Sequence, residues 1–340
     1  MSGNATARFD NVALLSVASV LPSRVTTSEQ IEAQLEPSLK RLKLHRGLLR
    51  RVAGVLERRN WAAGETVDAA TIAAGKRALA EAGVDAKDVG LLINTSVTRT
   101  NLEPSVAVAL HHGLGLPSSA INFDVANACL GFINGMSLAA TMIQSGQIRH
   151  AIVVAGEDAD EIQVNTIERL LAAEGSRDDF MREFATLTLG SGSAAAVLGR
   201  ADEHPAGHRV LGGVTRAATE FHKLCVGSVD GMFTDAKALL KGGLDLVVSA
   251  WKEASHEWDW SSMNRYITHQ VSSIHTDSIV KAVSLDRSRV PTTFPTLGNI
   301  GPASVPITLE REQANLREGD RVLLVGVGSG LNTAMLELAW

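Results

Sequence analysis

Cysteine is scarce in this chain: Cys129 and Cys225 are the only two among 340 residues. Two thiols so far apart in sequence build no disulfide framework and no paired metal-ligand spacing, so no metal is expected. Aromatic residues make up only 4%, with a single tyrosine, so no aromatic pattern fixes the shape of a binding channel. No apolar run reaches the roughly 20 residues of a transmembrane segment, and the N-terminus lacks the charged-then-apolar order of a secretory signal. An excess of positive charge is missing too. The net charge is −5, with basic residues scattered, which speaks against a nucleic-acid surface. A reduced, cytoplasmic protein is expected, in which any lipid-like substrate enters a soluble pocket.

What is present is ordinary material for a large α/β protein, 45% hydrophobic and 20% charged, with length enough for two domains or one sizeable core. One basic run, Lys40–Arg51, reads either as the solvated face of an amphipathic helix or as a surface for an anionic ligand.

The chain is organised around residues 121–136. Ile121, Phe123 and Val125 form a short strand, small residues make a tight corner at Cys129, and Phe132, Met136, Ala139, Ala140 and Ile143 recur at helical spacing. A thiol at such a corner sits against a helix N-terminus, where partial positive charge should favour thiolate against a free value of about 8.5. Cys129 therefore reads as a nucleophile or as one more buried small hydrophobe.

Apolar patterning predicts strands over 12–20, 55–61, 89–95, 147–155, 265–269, 321–326 and 331–338. Helices are expected after Thr27-Ser28 and over 67–82, 106–114, 231–257, 272–283 and 303–314. Residues 185–198 read as two strand pieces about a Gly-rich bend, 293–301 as a loop, and 1–11 as a disordered lead. A Gly/Pro/His-rich connection between Asp202 and Gly213 divides the chain into halves, 1–205 and 206–340. Segments starting at Val89 and Ser145 find counterparts starting at Met263 and Leu316. The offset stays at about 171–174 residues, which suggests a duplicated α/β unit.

Two further polar residues stand in unusual settings. His269 ends a buried strand, and Asn299 lies in a loop of glycines and prolines, Leu297–Pro306, ahead of a helix. Alone, each reads as a satisfied core histidine or a turn asparagine. Together with Cys129 they make a set in which each member ends a strand or a loop.

The corner Asn127-Ala-Cys129-Leu-Gly-Phe132, the pair His269-Gln270, Gly298-Asn299 and Gly328-Ser-Gly330, in that order along the whole chain, resemble thiolase-superfamily condensing enzymes of the ketoacyl synthase III kind. Longer stretches, among them 91–96, 102–105, 123–130 and 298–306, narrow the likeness to the olefin-biosynthesis acyl-CoA condensing enzymes. The resemblance implies an α/β thiolase fold, five layers αβαβα built from the two halves, acting as a homodimer. It implies no cofactor, since coenzyme A arrives as part of the substrate. It also implies that Cys129 takes the first acyl group as a thioester. His269 and Asn299 would then donate to the thioester oxygen of the second substrate as it becomes an enolate. The backbone N–H groups of Cys129 and Ser329 would form the oxyanion hole, where losing one donor costs about 3 kcal/mol.

Glu103 separates the nearest relatives. Ketoacyl synthase III enzymes make their carbanion by losing CO₂ and usually carry an apolar residue there. The olefin-type enzymes do not decarboxylate, need a base for the α-proton, and take this glutamate from the other subunit. The implied reaction is head-to-head Claisen condensation of two long-chain acyl-CoAs to a 2-alkyl-3-ketoacyl product, in long-chain olefin or β-lactone biosynthesis with downstream pathway enzymes as further partners. The alternatives are a decarboxylating 3-oxoacyl-carrier-protein synthase III using malonyl carrier protein, and a non-catalytic dimer partner that lends Glu103. Arg58 and Arg59 are candidates for the coenzyme A phosphates. Gly190-Ser-Gly-Ser imitates a dinucleotide fingerprint but runs into strand residues, and His111-His112 has no second ligand. Cys225 reads as structural. No cysteine follows it, which argues against thiolysis.

Overall fold

The computed structural model describes residues 6–172, 174–228 and 230–340. The first half begins with β1 (Thr6–Arg8), β2 (Ala13–Val20), β3 (Arg24–Thr27), α1 (Ser28–Gln34), α2 (Glu36–Arg41), a π-helical turn (Leu49–Ala53) and β4 (Glu57–Asn60). It continues through α3 (Val67–Ala82), β5 (Leu91–Asn94), α4 (Val106–Leu114), β6 (Ile121–Asp124), α5 (Gly131–Gln144) and β7 (His150–Glu157). Then come α6 (Asp160–Ala172), α7 (Arg177–Glu183) and β8 (Gly192–Gly199). The second half holds β9 (His208–Ala217), β10 (Cys225–Gly227), β11 (Met232–Thr234), α8 (Ala236–Ala254), β12 (Arg265–Thr268) and α9 (Ser273–Ala282). It ends with α10 (Phe294–Leu297), α11 (Ser304–Glu312), β13 (Arg321–Gly328) and β14 (Asn332–Ala339).

Ten strands form one sheet in the order β12-β13-β14-β9-β2-β8-β7-β5-β6, with β1 added on β9. The same sub-order occurs twice. β5 runs parallel to β7, which pairs antiparallel with β8, and β8 with β2. Likewise β12 runs parallel to β13, which pairs antiparallel with β14, and β14 with β9. The two units join where β2 meets β9 at Ala13↔Arg209 and Leu14↔His208, and where β1 pairs with β9. The expected division at 205/206 falls in the connection from β8 to β9.

Layering follows from alternation along the strands, whose successive side chains point to opposite faces. Leu91, Ile93, Val153, Ala194, Val322 and Leu324 pack on α5 and α11, the central helices. Their neighbours Leu92, Ile152, Val154 and Ala195 face α3 and α4, while Leu323, Val325 and Met335 face α8. Both faces of each half-sheet are therefore covered, and the strands read as apolar runs rather than alternating ones. The layers are five: α3/α4, half-sheet, α5/α11, half-sheet, α8/α9.

Several local expectations change. The helix expected from 231 starts only at Ala236, where the Asp235 side chain accepts from the Ala238 N–H at 3.0 Å; residues 232–234 instead pair with 225–227. Thr186–Thr188 is a 3₁₀ turn, closed by the Thr188 hydroxyl donating to the Ala185 carbonyl at 2.7 Å, so 185–198 contributes one strand instead of two. The loop expected over 293–301 contains the short helix α10. Of the lead, residues 1–5 lie outside the described residues, while 6–8 are paired strand. In the basic run, Lys40 and Arg46 both pair with Glu36.

Candidate active site

A strained corner presents the cysteine. After β6 the chain reaches Ala128 at φ +46°, a left-handed conformation that costs a residue with a Cβ roughly 1–2 kcal/mol. One 3₁₀ turn, Ala128–Leu130, then feeds α5. Asn127 braces the corner, donating from Nδ2 to Asn134 Oδ1 at 2.7 Å and accepting at Oδ1 from Asn332 Nδ2 at 3.2 Å. The turn that carries Ser329 packs directly on it. A Cβ at Gly328 would lie 3.0 Å from the Asn127 carbonyl oxygen and 3.2 Å from Leu130 Cβ, so any larger residue would have to push this corner apart by a few tenths of an ångström.

His269 leaves the sheet one strand away. Its backbone N–H donates to the Val325 carbonyl at 2.8 Å, extending the β12–β13 ladder towards the Gly328 turn. The ring is buried, and its Nδ1 has no hydrogen-bond partner. Burial, reinforced by His275, pushes the imidazole down to about 3. It is therefore neutral at pH 7, able to accept a proton at one nitrogen and donate from the other.

Asn299 is fixed by the backbone around it. Its N–H donates to the Thr188 carbonyl and its own carbonyl accepts from the Gly190 N–H, both at 2.9 Å. Its Oδ1 accepts from the Gly301 N–H at 3.0 Å. With that oxygen engaged, Nδ2 is the end left to donate. The turn Gly301–Ala303 packs against the Cys129 turn. The structure thus gathers Cys129, the Ser329 turn and the Asn299 loop around one corner, with His269 on the neighbouring strand.

The thiolate expected at this corner is not the resting form. Burial pushes the Cys129 thiol up to about 12, with the nearby Glu157 and Cys225 as further raising causes. Desolvation outweighs the helix end here, although Cys129 is only half-buried by surface exposure. Cys225 also accepts a hydrogen bond from the Thr234 hydroxyl at 3.4 Å.

Glu103 occupies the loop between β5 and α4 and is exposed in the protomer, beside Leu102 at 96% exposure. The arginine pair divides. Arg58 is 0% exposed and donates to the Leu187 carbonyl at 2.9 Å and to Ser28 Oγ at 3.2 Å. It is a core brace with no path to a phosphate, which corrects the sequence reading; Arg59 is half-buried. Among the described residues one group, His150, Glu203 and His204, brings potential metal-ligand atoms within 4.8 Å of one another. Its carboxylate is already held by Arg149 and Arg200.

Sequence reasoning missed Glu157. It ends β7 and is 6% exposed, with Val97 and Thr98 donating to its carboxylate. The available signal was an acidic residue closing the apolar run Ala151–Gly156.

A duplicated αβαβα frame with a cysteine at its central elbow is the architecture of the thiolase-type condensing enzymes. Family models agree: the one for 3-oxoacyl-[acyl-carrier-protein] synthase III matches residues 123–217, and the one for its C-terminal part matches 254–340. The acyl-CoA:acyl-CoA alkyltransferase of Xanthomonas campestris pv. campestris is 42% identical over 98% of this chain and 99% of its own length. A protein of the same name from Shewanella oneidensis is 32% identical over 98% and 100%. The structure of a cysteine-to-serine variant of Xanthomonas campestris OleA with bound lauric acid and lauroyl-CoA superposes with a TM-score of 0.95, at 41% identity, covering 98% of this chain and 100% of that one. The chain belongs to the ketoacyl synthase III-like condensing enzymes, in the family of the acyl-CoA:acyl-CoA alkyltransferases.

Among the described residues, no helix is long and apolar enough to cross a membrane.

Proposed function

We propose that the protein joins two long-chain acyl-CoAs head to head, without decarboxylation, as a homodimer. The observation that carries this is the full-length 42% identity to an acyl-CoA:acyl-CoA alkyltransferase, in a chain that has a carboxylate at position 103.

In this reading the Cys129 sulfur attacks the first acyl-CoA carbonyl, its proton passes to the neutral His269 ring, and coenzyme A leaves as the thiol, taking that proton. Cys129 holds the acyl group as a thioester. The second acyl-CoA then loses an α-proton to Glu103. Its carbonyl oxygen, now an enolate, accepts from His269 and from Asn299 Nδ2, donors fixed before the charge appears. The α-carbon attacks the acyl-cysteine, the oxyanion is held by the N–H groups of Cys129 and Ser329, and the sulfur departs and regains a proton. The product is a 2-alkyl-3-ketoacyl-CoA. Glu103 serves the pocket of a second copy of this chain. An exposed glutamate beside an almost fully exposed leucine supports a loop built to be covered by another subunit.

The test is the pair Cys129→Ser and Glu103→Gln, followed by mass spectrometry with myristoyl-CoA alone. The serine variant should form no acyl-cysteine; the glutamine variant should acylate normally and give no condensed product. Normal condensation by the Glu103 variant would remove the base. The decarboxylating reading keeps one observation in its favour, a Xanthomonas oryzae structure of 3-oxoacyl-[acyl-carrier-protein] synthase III at 41% identity and TM-score 0.95. Product formation only on adding malonyl carrier protein would select it.

A further inference from the structure

We infer that Glu157 is a positioning residue, clasping the root of the loop that carries Glu103 and so setting where that base stands. The inference rests on the role of Glu103 proposed above.

The Glu157 carboxylate lies at the C-terminal end of β7 and turns to the first residues of the loop. Oε1 accepts from the Val97 N–H at 2.7 Å, and Oε2 accepts from the Thr98 N–H at 3.1 Å and the Thr98 hydroxyl at 2.6 Å. Neighbouring bonds repeat the attachment. The Gly156 N–H donates to Ser96 Oγ at 2.9 Å, and the Asp158 N–H donates to Thr98 Oγ1 at 3.3 Å. On its other side the Gly301–Ala303 turn that follows Asn299 packs beside β7, and a Cβ added at Gly301 would come within 3.5 Å of Glu157 Cδ. Its backbone carbonyl accepts the Trp61 indole N–H at 3.1 Å. One buried side chain thus holds the strap running to Glu103 and lies beside the turn that follows Asn299.

Three converging donors bind an ionised carboxylate far better than a protonated one, which must spend an oxygen as donor. Burial nevertheless raises Glu157 to about 7. The Asp158 carboxylate and the Cys129 thiol act on it electrostatically, the three donors bonded to it are neutral, and Arg99 follows Thr98 on the same loop. The clasp therefore tightens as pH rises through neutrality and loosens below it.

The experiment uses the full-length enzyme with Glu157→Gln beside Glu103→Gln. We expect Glu157→Gln to acylate Cys129 at the normal rate and to lower kcat for condensation by about 10- to 100-fold, the scale of a roughly 1 Å misplacement, with KM little changed. Amide hydrogen exchange should quicken at Val97 and Thr98, and the fall in wild-type condensation below pH 7 should vanish in the variant. If Glu157→Gln proves unfolded, Thr98→Val removes one donor and should move the same readouts in the same direction. An unchanged ratio of condensation to acylation, or acylation falling equally, would overturn the positioning role. Wild-type enzyme making no condensed product from acyl-CoA alone would instead overturn the parent reading.

Discussion

Asn332 donates from Nδ2 to Asn127 Oδ1 at 3.2 Å, a bond between the two halves of the chain two residues before Cys129. It ties the nucleophile corner of the first half to the β13–β14 turn of the second, so the two N–H groups of the proposed oxyanion hole keep their spacing. Replacing Asn332 by Ala should slow formation of the acyl-enzyme about 10-fold. Asp, which sets acceptor against acceptor, should slow it more. Intact-mass time courses with myristoyl-CoA measure both; equal rates in all three proteins would detach this bond from the chemistry.

Gly298 sits at φ +69° and ψ −164°, a region essentially restricted to glycine. A Cβ there would meet the Thr188 carbonyl oxygen at 2.6 Å, the atom that anchors the Asn299 N–H. Gly298→Ala should cost about 1–3 kcal/mol of stability and reduce condensation at least as strongly as removing the Asn299 side chain, roughly 10²–10³-fold. Thermal unfolding and product assays check the two parts separately.

Mixing Cys129→Ser with Glu103→Gln subunits tests whether the glutamate crosses the interface. Only a site pairing the intact cysteine of one subunit with the intact glutamate of the other can turn over. Co-expressed mixed dimers should recover activity that neither parent shows. A mixture as inactive as its parents would place Glu103 in the pocket of its own chain.

The raised thiol predicts slow alkylation. With Cys129 held up to about 12, its reaction with iodoacetamide should climb about tenfold per pH unit from pH 7 to 9 without levelling, because reactivity follows the thiolate fraction. Peptide mass spectrometry separates it from Cys225. A plateau near neutral pH would mean a thiolate at rest.

The buried imidazoles predict acid sensitivity. His269 and His275 are pushed down to about 3 and about 4, against an ordinary value near 6.5. Above about pH 7.5 both rings are neutral in folded and unfolded chains, so neither changes stability. As pH falls from there towards 4, the unfolded chain takes up protons that the folded one refuses, and stability is lost. His269→Gln should flatten the decline in melting temperature across that window. An identical slope would show that the ring is protonated in the fold.

Local pattern determined much of this protein. Ala70, Ala74, Ala78 and Leu79 at helical spacing, opened by Thr66 and closed by Gly83, set α3 at Val67–Ala82, and the Thr27–Gln30 capping box sets α1. These are short-range signals, carried by propensity and by hydrogen bonds to nearby backbone. The strand-turn-helix corner at Cys129 was legible for the same reason. Three-dimensional packing alone decided the state of the groups brought together. Whether Cys129 is thiol or thiolate depends on how much water the layers above it exclude. Arg58 and Arg59, adjacent in sequence, part company because successive strand residues face opposite sides, one into the core. Glu157 gained its partners from a loop some 60 residues earlier, a contact with no local signature. Desolvation and long-range hydrogen bonding are properties of the closed fold, and no window of sequence contains them.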